Sequence, residues 1–275
     1  MARPSPRALA VRSLVMHEFP GRAIRSARAI CLPALIAIAC TGPQSVTDVD
    51  PPPDALRVLF IGNSLTYVND LPGLLGALAD SARVARPFWY RIVALPDYSL
   101  EDHWSAGAAR SAIDSREWDV IVLQQGPSSL PENQAHLRQW SLRFAEPIRA
   151  AGARPALYMV WPESTRQTAF SAVSDAYTAA AQAVDGLLFP VGRAWLLAWD
   201  RDDDLALYSF DGFHPSVLGT WLAALVMLDR LYENVDLAAL PASIRRRDGQ
   251  AATIPAAARA VLVEAAQEAN RSFGR

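Results

Sequence analysis

The sequence contains no lysine, and all 26 of its basic residues are arginine. This absence excludes Schiff-base chemistry, a Walker-type phosphate lysine and lysine general bases. Only two cysteines, Cys31 and Cys40, are present, which excludes a cysteine-rich zinc site and argues against a disulfide framework. The formal net charge of −2 argues against nucleic-acid binding by bulk electrostatics, so no nucleic-acid partner is predicted.

The first forty residues have the pattern of an export signal. Three arginines between positions 22 and 28 precede the apolar run Ala29–Ala39, which is too short to span a bilayer. Small residues directly before Cys40 resemble a bacterial lipoprotein signal, so we predict a lipid anchor at Cys40 and export to the cell envelope, in the periplasm or on the outer surface. A cleaved signal without lipid and an N-terminal anchor are the alternatives, and Met16 is an alternative start.

The remaining chain is predicted to be one acidic domain behind a tether. Cleavage before Cys40 leaves 20 arginines against 27 acidic residues, a net charge of −7. Residues 41–55, with Pro51–Pro53, favour a flexible tether. Because 51% of all residues are apolar and 20% are charged, residues 56–275 can bury a core of their own.

Strands and helices alternate along this domain. Short apolar runs predict five strands, at Arg57–Gly62, Phe88–Leu95, Trp118–Leu123, Ala156–Trp161 and Leu187–Val191. Helical spacing predicts helices at 70–84, 104–115, 131–151, 167–184, 215–233 and 254–270. The alternation predicts an α/β fold, with a five-stranded parallel sheet covered on both faces. Ligands of such sheets bind beyond the carboxyl ends of the strands.

Two short motifs at predicted loops carry nucleophile, base and acid. Ser64 stands in Gly-Asn-Ser-Leu-Thr after the first strand, and Asp211 and His214 stand in Asp-Gly-Phe-His-Pro before a late helix. A serine hydroxyl needs a base to take its proton and an acid to orient that base. Taken alone, each motif is also compatible with an ordinary turn or helix cap.

Together, in this order, the two motifs resemble the SGNH (GDSL-type) hydrolases, over about residues 56–233. Further stretches resemble a bacterial subgroup of this family, at 99–103, 122–125, 158–161 and 190–195. The resemblance implies a flavodoxin-like three-layer α/β/α sandwich and a serine esterase or lipase that needs no metal or organic cofactor. It makes Ser64 the nucleophile, His214 the base and Asp211 the acid. Asn63 replaces the aspartate that is usual in the family.

At the oxyanion hole, this sequence departs from the pattern of the family. The family uses the nucleophile amide, a glycine amide after the second strand and an asparagine side chain after the third. Here Asp97 falls at the glycine position, where its carboxylate would lie near a developing oxyanion. Ser128 falls at the asparagine position, with Gln125 as an amide alternative. The predicted donors are therefore Ser64, Asp97, and Ser128 or Gln125.

Other polar and aromatic residues are weaker candidates. Asn63, His103 and Trp161 are predicted to line the substrate cleft, and Trp104 and Trp195 near strand ends are further candidates. Glu101-Asp102-His103 is not predicted to bind a metal, because adjacent helical residues point in different directions. The acidic run 200–204 lacks the spacing of a calcium-binding hand and is predicted to be a solvated turn.

The sequence therefore predicts an exported serine hydrolase that cleaves short acyl esters, such as acetyl esters, of small molecules or glycans. A surface binding protein that has kept the fold but lost catalysis is one alternative, motivated by Asp97. A lipase or phospholipase acting beside its membrane anchor is another. The sequence leaves the oligomeric state open.

Overall fold

The structure is a computed structural model that describes residues 50–246 and 248–274. The predicted signal, Cys40 and most of the predicted tether lie outside these residues. Near the end of the predicted tether, Ala55 is already buried and its amide donates to Pro52 O over 3.0 Å. The packed domain therefore begins at about this residue.

Five parallel strands form the central sheet in the order β2-β1-β3-β4-β5. Their bounds are Leu56–Gly62 (β1), Phe88–Ala94 (β2), Val120–Leu123 (β3), Arg154–Tyr158 (β4) and Leu187–Phe189 (β5). The interior strand β1 pairs with β2 and β3, and its residues 58–61 are fully buried, as expected for a sheet covered on both faces. The predicted α/β fold and its five-stranded parallel sheet are confirmed.

Helices pack on both faces of this sheet. They are Ser64–Tyr67 (α1), Leu71–Ala82 (α2), Leu100–Ala106 (α3), Ala108–Asp114 (α4), Pro131–Ala150 (α5), Phe170–Ala183 (α6), Val191–Trp199 (α7), Val217–Leu231 (α8) and Ala256–Ser272 (α9). One layer contains α2, α7, α8 and α9, and the other contains α3 to α6. None of the described helices is long and apolar enough to cross a membrane.

The helix predicted at 104–115 is two helices, and it begins earlier. Ser99 starts α3 with a capping box, in which its hydroxyl accepts the amide of Asp102 and its own amide donates to the Asp102 carboxylate. Gly107 then separates α3 from α4, because its φ of 81° lies in the left-handed region. The helical spacing of apolar residues did not reveal this break.

Two parts of the C-terminal half were not predicted. β5 ends at Phe189, and residues from Val191 onward form α7, whose apolar face is buried. A small antiparallel pair, Ser243–Arg245 (β6) and Ala251–Thr253 (β7), precedes α9. Because α9 packs against α7 and α8, the segment beyond the predicted family resemblance closes one face of the sandwich.

Candidate active site

The nucleophile turn follows β1, an interior strand of the sheet. β1 ends at Gly62, and Ser64 is the first residue of α1. Asn63 caps this helix, since its Oδ1 accepts the amide of Leu65 over 3.1 Å. Only glycine fits at position 62, because Gln124 packs directly against its Cα and a Cβ there would lie 2.4 Å from Gln124 Oε1. Since α1 spans only four residues, individual amides rather than a long helix dipole face a developing negative charge here.

A buried amide side chain holds this turn in place. Gln124 Oε1 accepts the Asn63 amide and the Thr66 hydroxyl, each over 2.8 Å. Its Nε2 donates to Asn63 Oδ1 over 2.9 Å and to Gln125 O over 2.6 Å. Asn63 Nδ2 in turn donates to Tyr98 O over 3.1 Å. The turn is therefore fastened to the segments that follow β2 and β3. Sequence reasoning missed Gln124, although an amide at the end of an apolar strand was its signal.

The loop between α7 and α8 carries the other two members of the predicted triad, Asp211 and His214. The Ser209 amide donates to His214 O over 2.8 Å, and the Gly212 amide donates to Ser209 O over 3.0 Å. Gly212 has a φ of 69°, which favours glycine, and a Cβ there would lie 2.4 Å from Ser164 Oγ. This loop is thus held by its own backbone and by the segment that follows β4.

The structure brings the three side chains together in a relay. His214 Nε2 lies 2.8 Å from Ser64 Oγ, and His214 Nδ1 lies 2.6 Å from Asp211 Oδ2. Because a carboxylate can only accept, Nδ1 carries the proton and Nε2 is free to accept the serine hydroxyl. This is the tautomer that a general base for Ser64 requires.

Asp211 is held ionised by several donors. The Phe213 amide is the strongest, followed by the His214 ring and the His214 amide, and together they lower the pKa of the Asp211 carboxyl group. Its Oδ1 accepts both amides over 3.0 Å, which leaves Oδ2 for the imidazole. The carboxylate is therefore fixed in orientation although 36% of the side chain is exposed.

His103, which was predicted to line the cleft, lies beneath the nucleophile turn instead. It is only 1% exposed, and its Nε2 is 2.7 Å from Gly62 O. Burial lowers the pKa of this imidazole, so the neutral ring donates from Nε2 to the carbonyl. The prediction was wrong because α3 begins at Leu100 and turns His103 toward the sheet.

The predicted oxyanion residues all border one cleft, but their side chains are not equally available. Asp97 has a φ of 59°, a conformation that glycine adopts readily, which agrees with its alignment to a glycine position. Ser128 Oγ donates to Gly126 O over 3.1 Å and accepts Gln125 Nε2 over 2.9 Å. Gln125 Nε2 keeps a second hydrogen atom. Within the described chain, the amides of Ser64 and Asp97 have no protein acceptor.

The cleft has a volume of about 400 Å³ and is open to solvent. Its lining residues are Asn63, Ser64, Asp97, Tyr98, Ser99, Gln125, Gly126, Pro127, Ser128, Asn133, His136 and Phe213. Asn133 and His136 were not predicted as cleft residues, although their spacing of three on a helix after β3 places both on one face. His136 Nε2 lies 2.9 Å from Glu101 Oε2, so the imidazole is tied to α3 across the cleft mouth.

The tryptophans predicted at the cleft have other roles. Trp161 and Trp195 are fully buried and stack with ring centroids 3.8 Å apart, so the prediction that Trp161 lines the cleft was wrong. Trp161 Nε1 donates to Phe213 O over 3.0 Å and thereby supports the loop of the predicted base. Trp104 is half-buried, is not among the cleft-lining residues, and packs edge-on against Phe144.

The acidic run after α7 forms a turn, as predicted. The carboxylates of Asp202, Asp203 and Asp204 come within 4.8 Å of one another, and the Asp204 amide donates to Asp202 Oδ1 over 3.2 Å. Asp203 and Asp204 are exposed. Exposed acidic groups commonly converge in this way without binding an ion.

Comparison with solved structures places the geometry in context. No protein-family model and no curated protein matches the sequence. A candidate SGNH hydrolase from Slackia heliotrinireducens is 26% identical, with a TM-score of 0.54 over 64% of this chain and 99% of that one. A DUF4886 family protein from Bacteroides uniformis is 18% identical, with a TM-score of 0.63 over 81% and 97% of the two chains. An acetylxylan esterase from Geobacillus stearothermophilus is 16% identical, with a TM-score of 0.50 over 64% and 94%.

The last two proteins share the fold with this chain, whereas the Slackia protein resembles it in sequence as well. The sheet order, the two motifs and the relay from Ser64 through His214 to Asp211 agree with that likeness. These observations support the resemblance of this chain to the SGNH hydrolase family.

Proposed function

We propose that this protein is an exported serine esterase that cleaves short acyl esters by acyl transfer. The observation that carries the proposal is the continuous relay, with 2.8 Å between Ser64 Oγ and His214 Nε2 and 2.6 Å between His214 Nδ1 and Asp211 Oδ2. A serine with a base in the accepting tautomer and an orienting carboxylate is the arrangement that acyl transfer needs.

In the proposed reaction, Ser64 Oγ attacks the ester carbonyl carbon while His214 Nε2 takes the hydroxyl proton. Collapse of the tetrahedral intermediate breaks the bond to the alcohol oxygen, and His214 returns the proton to that oxygen. Water then attacks the acyl-enzyme and gives its proton to His214, which releases the acid and restores Ser64. Asp211 keeps the imidazole oriented and stabilises its charged form.

The oxyanion would be stabilised by three donors: the amides of Ser64 and Asp97 and the Gln125 side chain. Both amides lack a protein acceptor within the described chain, and both residues border the cleft. Gln125 is favoured over Ser128 because its Nε2 has a hydrogen atom to spare, whereas the Ser128 hydroxyl already donates to Gly126 O.

The proposed substrates are acetyl and other short acyl esters of small molecules or glycans. A cleft of about 400 Å³ lined largely by polar side chains suits a compact acyl group and a hydroxyl-rich alcohol better than a long hydrocarbon chain. One protein with this fold is named as an acetylxylan esterase. The binding-protein alternative is disfavoured by the complete relay, and the lipase alternative by the polar cleft.

Hydrolysis of p-nitrophenyl acetate and octanoate tests the proposal. We expect the wild-type protein to prefer the acetate, and Ser64→Ala and His214→Ala to lose at least about 10³-fold in kcat. Ser171→Ala removes an exposed hydroxyl on α6, outside this cleft, and serves as the matched control. Equal activity in Ser64→Ala and the wild type would contradict the serine mechanism. A preference for octanoate would favour the lipase alternative.

Export and lipidation are proposed from the sequence of the first forty residues. The test is metabolic labelling with a radioactive fatty acid in a bacterial host, followed by fractionation. We expect label on the wild-type protein in the membrane fraction and none on Cys40→Ser. Label on both proteins, or on neither, would contradict lipidation at this residue.

A further inference from the structure

One carboxylate in the cleft has no part in the proposed acyl transfer. Asp97 borders the cleft together with Ser64, and its side chain is exposed in the loop after β2. The Leu95-Pro96-Asp97-Tyr98 turn fixes it there, because the Tyr98 amide donates to Leu95 O over 3.3 Å and Asp97 takes a φ of 59°. Tyr98 O is in turn bound by Asn63 Nδ2. The turn that carries Asp97 is therefore hydrogen-bonded to the turn that carries the nucleophile.

The charge of Asp97 reaches the surroundings of the nucleophile. Tyr67 lies three residues after Ser64, on the same short helix. Burial raises the pKa of the Tyr67 phenol, and the nearby Asp97 carboxylate raises it further. Unlike the carboxylates of Asp102 and Asp211, the Asp97 carboxylate makes no hydrogen bond within the described chain, so no neighbouring donor offsets its charge.

The neighbouring acidic groups are already occupied, in contrast to Asp97. Glu101 is bound by His136, the Asp102 carboxylate accepts the hydroxyl and amide of Ser99, and Asp211 holds His214. Among the described residues that line the cleft, Asp97 is the one carboxylate, and none is an arginine. The cleft therefore presents one unpaired negative charge to whatever enters it.

We propose that Asp97 is a specificity-determining residue that makes this cleft prefer esters carrying a cationic group, such as a quaternary ammonium or a protonated amine, near the ester carbonyl. The inference rests on the proposed esterase function and adds a prediction of the charge of its substrate. A cation beside the scissile ester would be attracted to Asp97 and would offset its repulsion of the oxyanion. A neutral ester has no positive charge to offset the repulsion between Asp97 and the oxyanion. An anionic ester is disfavoured further, because Asp97 also repels the charge of the substrate itself.

The test compares pairs of esters that differ in charge and hardly in shape. Acetylcholine and 3,3-dimethylbutyl acetate place the difference on the alcohol part, and methyl 3-aminopropanoate and methyl butanoate place it on the acyl part. For at least one pair we expect the full-length wild-type protein to show a kcat/KM about 3- to 10-fold higher for the cationic ester at low salt. This ratio should shrink as the ionic strength rises.

Asp97→Asn separates the effect of this residue from the net charge of the protein. We expect the ratio to fall to about 1 in this variant, and kcat for the neutral esters to rise because oxyanion repulsion is relieved. Asp175→Asn removes an exposed charge in a different cleft and should keep the wild-type ratio. Ratios near 1 for both wild-type pairs, or the same ratio in Asp97→Asn, would overturn the inference.

Binding keeps the inference testable if turnover fails. Loss of all ester hydrolysis in the wild type would count against the proposed function, while the cation preference can still be measured on Ser64→Ala by ligand-observed NMR. We expect this variant to bind acetylcholine more tightly than its neutral isostere, and the double variant with Asp97→Asn to bind both equally. Equal binding by Ser64→Ala itself would overturn the inference independently of any activity.

Discussion

Gln124 Nε2 donates to Asn63 Oδ1 over 2.9 Å, so two amide side chains join the end of β3 to the residue before the nucleophile. The oxygen and the nitrogen of both amides are all hydrogen-bonded, because Asn63 Nδ2 also donates to Tyr98 O. The aspartate that is usual in the family at position 63 could not make this last bond while ionised. Asparagine here is therefore suited to its neighbours, and its presence does not indicate an inactive enzyme.

Asn63→Asp should consequently weaken the protein, although it restores the residue usual in the family. The new carboxylate oxygen would face Tyr98 O without a proton between them, and we expect about 1–3 kcal/mol less unfolding free energy. Urea unfolding and kcat/KM for an acetate ester check this expectation. Asp185→Asn removes a negative charge from an exposed side chain far from Asn63 in the sequence, and it serves as the control for altered net charge. Unchanged stability and activity in Asn63→Asp would show that the bond to Tyr98 O is dispensable.

Removing the Gln125 amide should harm catalysis more than removing the Ser128 hydroxyl. Loss of one oxyanion donor typically costs about 10²–10³-fold in kcat, and we expect Gln125→Leu to fall in this range. Ser128→Ala should cost less, since its hydroxyl proton is already given to Gly126 O. Steady-state kinetics on one acetate ester decide between them. A larger loss in Ser128→Ala would assign the donor to the serine instead.

Stability should fall as the pH drops below neutrality, because His103 is buried in its neutral form. Its pKa is lowered in the folded protein, so in the unfolded chain, where histidine titrates near about 6.5, the imidazole binds protons first. The folded state is thus favoured fully above that value and loses this contribution as the pH falls toward the lowered pKa. His103→Gln keeps a donor for Gly62 O and does not titrate.

Urea unfolding between about pH 7 and pH 5 measures this contribution. We expect a shallower pH dependence in His103→Gln than in the wild type. His136→Gln removes a half-buried imidazole at the cleft mouth and is the matched control. The depressed pKa values of Asp102 and Asp211 contribute separately, since their stabilisation is lost only as the pH falls below the usual aspartate value of 3.8. Identical pH profiles for the wild type and His103→Gln would contradict the assignment.

Trp161→Phe should slow catalysis without weakening substrate binding. The indole is buried away from the cleft, but its Nε1 supports the backbone between Asp211 and His214 through Phe213 O. We expect a loss of about 1–3 kcal/mol in unfolding free energy and a lower kcat, with KM nearly unchanged. A rise in KM with kcat unchanged would instead indicate direct contact with substrate.

Local sequence patterns predicted the sheet, whereas the three residues of the relay were predicted from the resemblance of two motifs to the SGNH hydrolases. The strands are short apolar runs, and Ser64, Asp211 and His214 stand in loops next to strand or helix ends, where polar residues are conspicuous. The orientation of side chains within helices was not predictable in the same way. The start or end of the neighbouring helix or strand decides which way the side chains of His103 and Trp161 point. An error of a few residues in that boundary is enough to make a buried residue look like a cleft residue.

Long-range polar contacts were the other missing information. Gln124 looks like the end of an apolar strand, and only the folded structure shows that its amide meets Asn63 and Thr66 from another strand. The helix α7 was missed because the predicted fifth strand ran to Val191 and no element was predicted for the residues that follow it. For Gln124, the deciding contacts join residues far apart in the chain, which no local pattern records.

The proposed mechanism also implies an order in which this protein acquires activity. Ser64 and His214 are 150 residues apart, and four of the five strands of the sheet lie between them in the chain. A chain that emerges from its N-terminus therefore presents Ser64 long before His214. Under the proposed mechanism, it cannot hydrolyse esters until the loop before α8 docks. The first appearance of ester hydrolysis during refolding or translocation would accordingly report the docking of the loop before α8 onto the sheet edge that carries Ser64.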